Sequence, residues 1–116
     1  MVVPRTGSWV AAVLPDESAT TPEVDLGGEF EKVQVYSPAI DSATLTVKVA
    51  RNKGDTAVQV HAMDDDATGD FVHTTTAKTA AAMNIFTICA RYITLVTGAN
   101  QTTAAVTFYV RGIDPL

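Results

Sequence analysis

The segment from residue 84 to residue 112 limits the fold most, because it consists of three apolar runs separated by turn-forming residues. The last run alternates between two faces, one formed by Val106, Phe108 and Val110 and the other by Thr107, Tyr109 and Arg111. Side chains alternate in this way along a β-strand, whereas helical side chains share a face every three to four residues. The run therefore predicts a strand that buries one face.

The run before it predicts a second strand and a partner for the first. Between residues 91 and 97, Ile93 and Leu95 lie on one side. Gly98, Asn100 and Gln101 follow, and residues of these types favour turns. We therefore predict that the two runs pair as a β-hairpin with a loop longer than the tightest type, and that the core of one β-domain is built on this hairpin.

Other parts of the chain also alternate. The clearest case lies between residues 44 and 49, with an inward set of Leu45, Val47 and Val49 and an outward set of Thr44, Thr46 and Lys48. A polar turn containing Gly54 follows, and we predict that residues 56–63 return from it to pair with residues 44–50. The adjacent Gly27 and Gly28 predict a bend or bulge. Residues 78–83 are expected to be irregular, because their alanines favour a helical turn while the flanking threonines do not.

Taken together, these strands define an expected fold. Short strands separated by turns about every 8 to 12 residues are typical of antiparallel sandwiches. Val is the main large aliphatic residue and Leu is scarce, which favours strands over helices. We therefore predict an all-β fold for residues 23–116, a single antiparallel β-sandwich or jelly-roll of about seven to nine short strands.

Residues 1–22 differ from the rest because three prolines and a glycine interrupt them, namely Pro4, Gly7, Pro15 and Pro22. The run from Trp9 to Leu14 can form one short strand. Such an arm either folds onto its own domain as an edge strand or extends onto a neighbouring subunit. Because an exposed large aromatic in a loose segment usually covers a surface, we predict an extended N-terminal arm that contacts a partner through Val3, Pro4, Trp9, Val10 and Val13.

The charge balance excludes several classes of partner. Eight Lys and Arg against thirteen Asp and Glu give a net charge of -5, whereas nucleic-acid binding requires clustered cations. No apolar segment approaches the ~20 residues that cross a bilayer. The apolar run that follows Arg5 is about half as long as a signal-peptide core. We therefore expect no nucleic acid, no membrane and no cleaved signal.

The acidic loop is the best candidate for a metal site. Asp64, Asp66 and Asp70 follow the first half of a calcium-binding loop, but Thr75 stands where a bidentate Glu is required. The loop is flanked by His61 and His73, which we expect on the solvent face of a sheet. We therefore predict no high-affinity metal site and no cofactor.

A catalytic arrangement is not indicated by the remaining reactive residues. The lone Cys89 lies between Ile88 and Ala90, which predicts a buried small side chain without a partner base. We expect no enzyme activity. Arg91 and Arg111 stand at the ends of predicted core strands, where an arginine can bind the carboxylate of a partner.

The order of strands and turns resembles that of small structural proteins of tailed bacteriophages. The segments that carry the resemblance span residues 25–113 and read DLGGEFEKVQVYSPAIDSATLTVKVARN, VQVHAMDDDATGDF and ARYITLVTGANQTTAAVTFYVRGI. Proteins of this group are β-sandwich or jelly-roll modules of the virion and include capsid decoration or cement proteins, head fibres and tail-associated modules. The resemblance implies a module of the same kind.

The implied function is to bind and stabilise the outer surface of a bacteriophage capsid. The implied partner is the major capsid protein, the implied assembly is a homotrimer, and the implied location is the capsid exterior after assembly in the host cytoplasm. The alternative is a tail- or fibre-associated module that binds a host-surface glycan. For that alternative, sugar rings stack on exposed aromatic side chains, and we expect Tyr36, Tyr92 and Tyr109 to share a face.

Overall fold

The computed structural model describes residues 5–41, 44–59, 72–74, 81–102 and 104–114, with the backbone alone for residues 59 and 72–74. Within these ranges the chain forms eleven strands and no helix. The strands are β1 Arg5–Thr6, β2 Val10–Leu14, β3 Ser18–Thr20, β4 Val24–Phe30, β5 Lys32–Ser37, β6 Thr44–Ala50, β7 Val58–Gln59, β8 Val72–Thr74, β9 Ala82–Phe86, β10 Ala90–Gln101 and β11 Val106–Asp114.

The strands form two antiparallel sheets. The first sheet runs in the order β9, β5, β11, and both β1 and β2 pair with the edge of β11 that faces away from β5. The second sheet is built on β10 and β6, with β3 and β4 pairing along β10 and β7 and β8 along β6. The all-β antiparallel sandwich predicted from the sequence is therefore confirmed, whereas the jelly-roll variant stays a prediction. The predicted number of seven to nine strands is too low, because the described residues alone form eleven, three of them before residue 23.

The core lies between the sheets and is formed by the inward side chains of both. The side chains predicted to point inward are completely buried in six cases, namely Leu45, Val47, Ile93, Leu95, Phe108 and Val110. Val49 is half-buried and packs against them. Burial of such aliphatic and aromatic side chains is the main stabilising contribution in a domain of this size. The predicted alternation is thus confirmed for β10 and β11, whereas in β6 it is wrong at Thr46, which was expected to face outward but is buried.

The predicted hairpin between β10 and β11 is wrong. Tyr92 to Thr97 of β10 pair with β6 in the second sheet, whereas Tyr109 to Ile113 of β11 pair with β5 in the first. The expected turn residues at 98–101 still belong to β10, and Gln101 is buried and accepts a hydrogen bond from the backbone N–H of Asp41 (3.0 Å). The chain therefore crosses from one sheet to the other between Gln101 and Val106.

The other local predictions have mixed outcomes. β6 and β7 pair antiparallel, as expected, for Lys48 with Gln59 and Val49 with Val58. At Gly27 the backbone has a φ of 85° and the pairing of β4 with β10 shifts register, which confirms the predicted bulge. The expectation of an irregular segment at 78–83 is wrong for Ala82 and Met83, which belong to β9, while residues 78–80 lie outside the described residues.

The structure does not confirm an extended N-terminal arm for residues 5–20. β1 and β2 pair with β11, and β3 pairs with β10, so described residues on both sides of the predicted division at 22/23 share the same two sheets. Ala12 and Leu14 point inward and are buried, with Leu14 fully inaccessible. Residues 5–20 therefore fold onto their own domain as edge strands and do not extend away from it. The alternation of β2 explains this, because it places apolar side chains in the core.

A tight corner joins the two sheets. β4 ends at Phe30 in the second sheet and β5 begins one residue after Glu31 in the first. The ring of Phe30 packs directly on the backbone of Gly112 in β11, and the guanidinium of Arg5 lies 4.3 Å from the centre of this ring. Arg5 also donates hydrogen bonds to Asp114 and to the carbonyl of Glu29, which fixes β1 against the corner.

Candidate docking surface on the first sheet

The strand registers bring exposed aromatic side chains together on the outer face of the first sheet. Residues opposite each other in an antiparallel pair share a face. Tyr109 lies opposite both Ala11 and Tyr36, and Tyr36 lies opposite Met83. In the adjacent row, Arg111 lies opposite Gln34, which lies opposite Ile85. Trp9 precedes β2 and stacks on Arg111. We call this surface the aromatic face; its members are Trp9, Val13, Gln34, Tyr36, Met83, Ile85, Tyr109 and Arg111.

The aromatic face holds most of the large hydrophobic side chains that are exposed in the described chain. Among the residues that the structure describes, six of the seven exposed large hydrophobic side chains lie on it, and the seventh, Val58, is in the second sheet. The exposed fractions are 41% for Trp9, 46% for Val13, 37% for Tyr36, 51% for Met83, 56% for Ile85 and 45% for Tyr109. Scattered exposed hydrophobic residues are normal, but a contiguous patch marks an interaction site.

Arg111 lies in the row next to the two tyrosines and is fixed there by two contacts. Its Nε donates a hydrogen bond to Oε1 of Gln34 (2.7 Å), and its guanidinium lies 4.4 Å from the centre of the Trp9 ring. Nearby, the rings of Tyr36 and Tyr109 are 6.3 Å apart and inclined by 50°. Trp9, Tyr36, Met83 and Tyr109 together line a shallow depression of about 380 Å³.

The charged residues at the paired outward positions of the first sheet are positive. Two charged residues occupy these positions, Arg111 and Lys32. Lys32 lies in the next row of the sheet, which it forms with Ile113 and Thr6. No Asp or Glu occupies a paired outward position there. The whole chain, by contrast, carries a net charge of -5. The aromatic face therefore has the opposite sign to the molecule as a whole.

Arg111 differs from the two arginines that form ion pairs. Arg5 lies 2.6 Å from Asp114, and Arg91 lies 3.1 Å from Asp25. Within the described chain, Arg111 has no carboxylate partner, and its two Nη groups donate no hydrogen bond. A half-buried guanidinium therefore presents unused donors at the surface of the aromatic face.

The ion pairs elsewhere in the sandwich shift two carboxyl pKa values. The hydrogen bond from Arg91 Nε, followed by the N–H of Gly27 (2.8 Å), lowers the pKa of Asp25 below its ordinary value of 3.8. The N–H of Glu31 (2.8 Å), together with Arg5, lowers the pKa of Asp114 below the same value. Both groups are fixed in the ionised form by contacts made in the folded state.

The structure places five of the residues predicted to contact a partner on one face, namely Trp9, Val13, Tyr36, Tyr109 and Arg111. Val10 lies opposite the buried Val110 and packs against the core, so its predicted role in partner contact is not supported. Val3 and Pro4 lie outside the described residues. Met83 and Ile85 were missed, because β9 carries apolar side chains on both faces and its pattern gives no signal for an exposed pair.

Two further expectations about site residues are wrong. Tyr92 does not share a face with Tyr36 and Tyr109, because it belongs to β10 in the second sheet. Cys89 is exposed rather than buried, since Ile88 and Ala90 on either side of it take the inward positions. The structure thus reduces the predicted tyrosine cluster to one pair and supplements it with Trp9.

The predicted metal candidates lie outside the described residues. Asp64, Asp66 and Asp70 belong to that part of the chain, and so does His61; for His73 the backbone alone is described, in β8. In the described ranges, no three His, Cys, Asp or Glu side chains form a group suited to a metal ion. The absence of a high-affinity metal site stays a prediction.

The described residues form no helix that is long and apolar enough to cross a membrane. No protein-family model, curated protein or solved structure matches the chain. The aromatic face is therefore the structural feature on which a functional assignment depends.

Proposed function

We propose that this protein is a non-catalytic structural module of a bacteriophage virion that binds the outer surface of the capsid through its aromatic face. The observation that carries the proposal is the concentration of exposed Trp9, Tyr36, Met83 and Tyr109 around one depression of the first sheet. A monomeric protein gains nothing from leaving such side chains in water, whereas a partner that covers them gains their hydrophobic burial.

The composition of the face favours a protein partner. Aromatic residues, Met and Arg are enriched at protein–protein interfaces relative to the rest of a protein surface, and Trp, Tyr and Arg dominate their binding energy. The aromatic face contains each of these types, including Met83 and Arg111. The rigid sheet also holds the side chains in fixed rows, which lowers the entropy cost of binding.

A decoration protein stabilises a capsid by binding the assembled shell more tightly than free subunits. Such differential binding shifts the equilibrium toward the shell by mass action, and several linked contacts multiply the effect. The major capsid protein is the proposed partner, the capsid exterior is the proposed location, and a homotrimer is the proposed assembly. Each of these follows from the resemblance to tailed-phage virion proteins.

A second candidate is a tail- or fibre-associated module that binds host-surface glycan. The observation that favours it is the group of three aromatic rings, Trp9, Tyr36 and Tyr109, around a shallow depression, since sugar rings stack on such side chains. This face offers hydrogen-bonding groups on Tyr36, Tyr109, Gln34 and Arg111, but it also exposes Val13, Met83 and Ile85, whose apolar surface a sugar would leave unmatched. The protein partner therefore ranks first, and a glycan array with the purified protein discriminates between the two.

The proposed surface is tested by cosedimentation with capsids of the phage that encodes the protein, prepared without it. We expect Tyr109→Ser to weaken binding at least tenfold, because truncating an aromatic hot spot costs about 2 kcal/mol or more. Val58→Ser is the matched control, since Val58 is 63% exposed but lies in the second sheet. Equal binding by wild type and Tyr109→Ser would argue against docking through this face, and failure of the wild type to bind would argue against the capsid.

A further inference from the structure

We infer that the partner segment bound by the aromatic face carries an Asp or Glu carboxylate between apolar side chains, and that Arg111 receives this carboxylate. The inference rests on the proposed function, since it names the chemistry of the partner at the same surface. It is carried by the state of Arg111, which is fixed in position by Gln34 and Trp9 and has no carboxylate of its own among the described residues.

The guanidinium of Arg111 is already oriented. Gln34 accepts the hydrogen bond of Nε at 2.7 Å, and the Trp9 ring supports the guanidinium plane at 4.4 Å. Both contacts leave the two Nη groups for a partner. A carboxylate matches this fork with two parallel hydrogen bonds, and fixing the fork in advance lowers the entropy lost on binding.

The surroundings decide which anion suits this site. Phosphate and nucleic acid are bound by clustered cations, whereas Arg111 has one further cation, Lys32, in the neighbouring row of the sheet. The neighbours Trp9, Tyr36 and Tyr109 are suited to apolar side chains on either side of a single acidic group. A protein segment of the type apolar–acidic–apolar meets both requirements.

The charges also disfavour the same face of a second copy as the occupant. Two aromatic faces brought together would oppose Arg111 and Lys32 to the identical pair of cations, with no Asp or Glu at the paired outward positions to compensate. Like charges placed together across an interface are unfavourable. A segment with negative charge is the complementary partner.

The experiment uses two peptide probes that differ in one group, Ac-Gly-Leu-Glu-Phe-Gly-NH2 and the same peptide with Gln in place of Glu. Trp9 is the single Trp of the chain, so its fluorescence reports binding at the face directly. We expect the Glu peptide to change Trp9 emission in a saturable manner. It should bind about tenfold more tightly than the Gln peptide, or better, because only the carboxylate can form a charge-assisted bidentate pair with Arg111.

Variants locate the preference on Arg111. In Arg111→Gln we expect the two peptides to bind equally weakly. Arg51→Gln is the matched control, because Arg51 is exposed in the loop after β6 and its removal changes the net charge by the same amount. We expect Arg51→Gln to retain the preference for Glu. Thermal unfolding of both variants, measured in parallel, shows that each is folded.

Several results would overturn the inference: equal affinity for the two peptides, no response to either, or a preference for Glu that survives in Arg111→Gln. A change in Trp9 emission with protein concentration alone would assign the face to a second copy, and a response to glycans but not peptides would assign it to sugar. Capsid binding that is equal in wild type and Arg111→Gln would reject the inference while leaving the proposed function intact. Preference for Glu without capsid binding would do the reverse.

Discussion

Gly112 lies where β11 passes closest to the ring of Phe30. A Cβ at this position would stand 2.1 Å from Cγ of Phe30 and 2.7 Å from its Cβ. These atoms lie near the backbone, so the ring cannot avoid the contact by rotating its far end. The packing of the corner between β4 and β5 against β11 therefore depends on a residue without a side chain at 112.

We predict that Gly112→Ala lowers the free energy of unfolding by about 1 to 3 kcal/mol, the usual cost of overpacking a core. Urea denaturation measures it. Gly28→Ala is the control, because its added Cβ would meet Phe30 at 3.7 Å, an ordinary contact. That variant should leave the stability unchanged or raise it by up to about 1 kcal/mol. A Gly112→Ala protein as stable as Gly28→Ala would show that the corner can relax.

Two carboxyls make the stability depend on acid pH. Asp25 and Asp114 have a lower pKa in the folded chain than their ordinary value of 3.8, mainly because of Arg91 and the N–H of Glu31 respectively. The stabilisation is therefore complete above pH 3.8 and is lost as the pH falls through the lower folded value.

We predict that Asp114→Asn reduces the fall in melting temperature between about pH 5 and about pH 2.5, since Asn cannot be protonated in this range. Melting curves at several pH values measure this effect. Asp16→Asn is the control, because Asp16 is exposed in the turn after β2 and forms none of the ion pairs of the described chain. An identical pH profile for wild type and Asp114→Asn would contradict the role given to Glu31 and Arg5.

Alternation in the sequence was sufficient to predict the inward residues of β6, β10 and β11. It failed at Cys89, where the buried neighbours Ile88 and Ala90 already indicate an outward position. It also could not separate Met83 and Ile85 from core residues, because apolar side chains on both faces of β9 give the same pattern as a fully buried strand.

Among the strands, β2 distinguishes between an edge strand of the sandwich and an extended arm for the N-terminal segment. Its residues alternate between the core and the aromatic face: Ala12 and Leu14 are buried, while Val13 is 46% exposed. The strand therefore belongs to the sandwich and also contributes to the proposed docking surface. Prolines and polar residues around β2 suggested a detached arm. Nothing in the sequence indicated the pairing with β11, because that pairing is long-range and leaves no local signal.

We predict that Leu14→Ala lowers the free energy of unfolding by about 2 to 5 kcal/mol, because it removes a fully buried side chain. Val13→Ala in the same strand should change it by less than about 0.5 kcal/mol. Chemical denaturation of the two variants compares a core position with a surface position one residue apart. Equal stabilities would indicate that β2 is detached in solution, as an extended arm would be.

Strand partners were harder to predict than strands. Residues 98–101 have the composition of a hairpin turn, yet β10 continues through them and Gln101 bonds to Asp41, about sixty residues away in sequence. A short connection between two strands fits a hairpin within one sheet and a crossing between sheets equally well. Whether the connection is a hairpin or a crossing depends on the side chains that the other strands place in the core. It is therefore a property of the whole fold and not of the local sequence.

At the scale of the molecule, the aromatic face is assembled from four separate segments. Trp9 precedes β2, Tyr36 is on β5, Met83 on β9 and Tyr109 on β11. The sequence supplied the expectation that Tyr36 and Tyr109 share a face, and the register of β5 and β11 confirms it. The contact between Trp9 and Arg111 depends on the pairing of β2 with β11, which the sequence pattern did not predict.

Docking of the aromatic face on the capsid can be seen directly by electron cryomicroscopy of virions or capsids with and without this protein. We expect difference density on the capsid exterior that fits the two-sheet sandwich, with Trp9, Tyr36 and Tyr109 of the first sheet facing the shell. Density in which the first sheet faces solvent, or no difference between the two reconstructions, would contradict it.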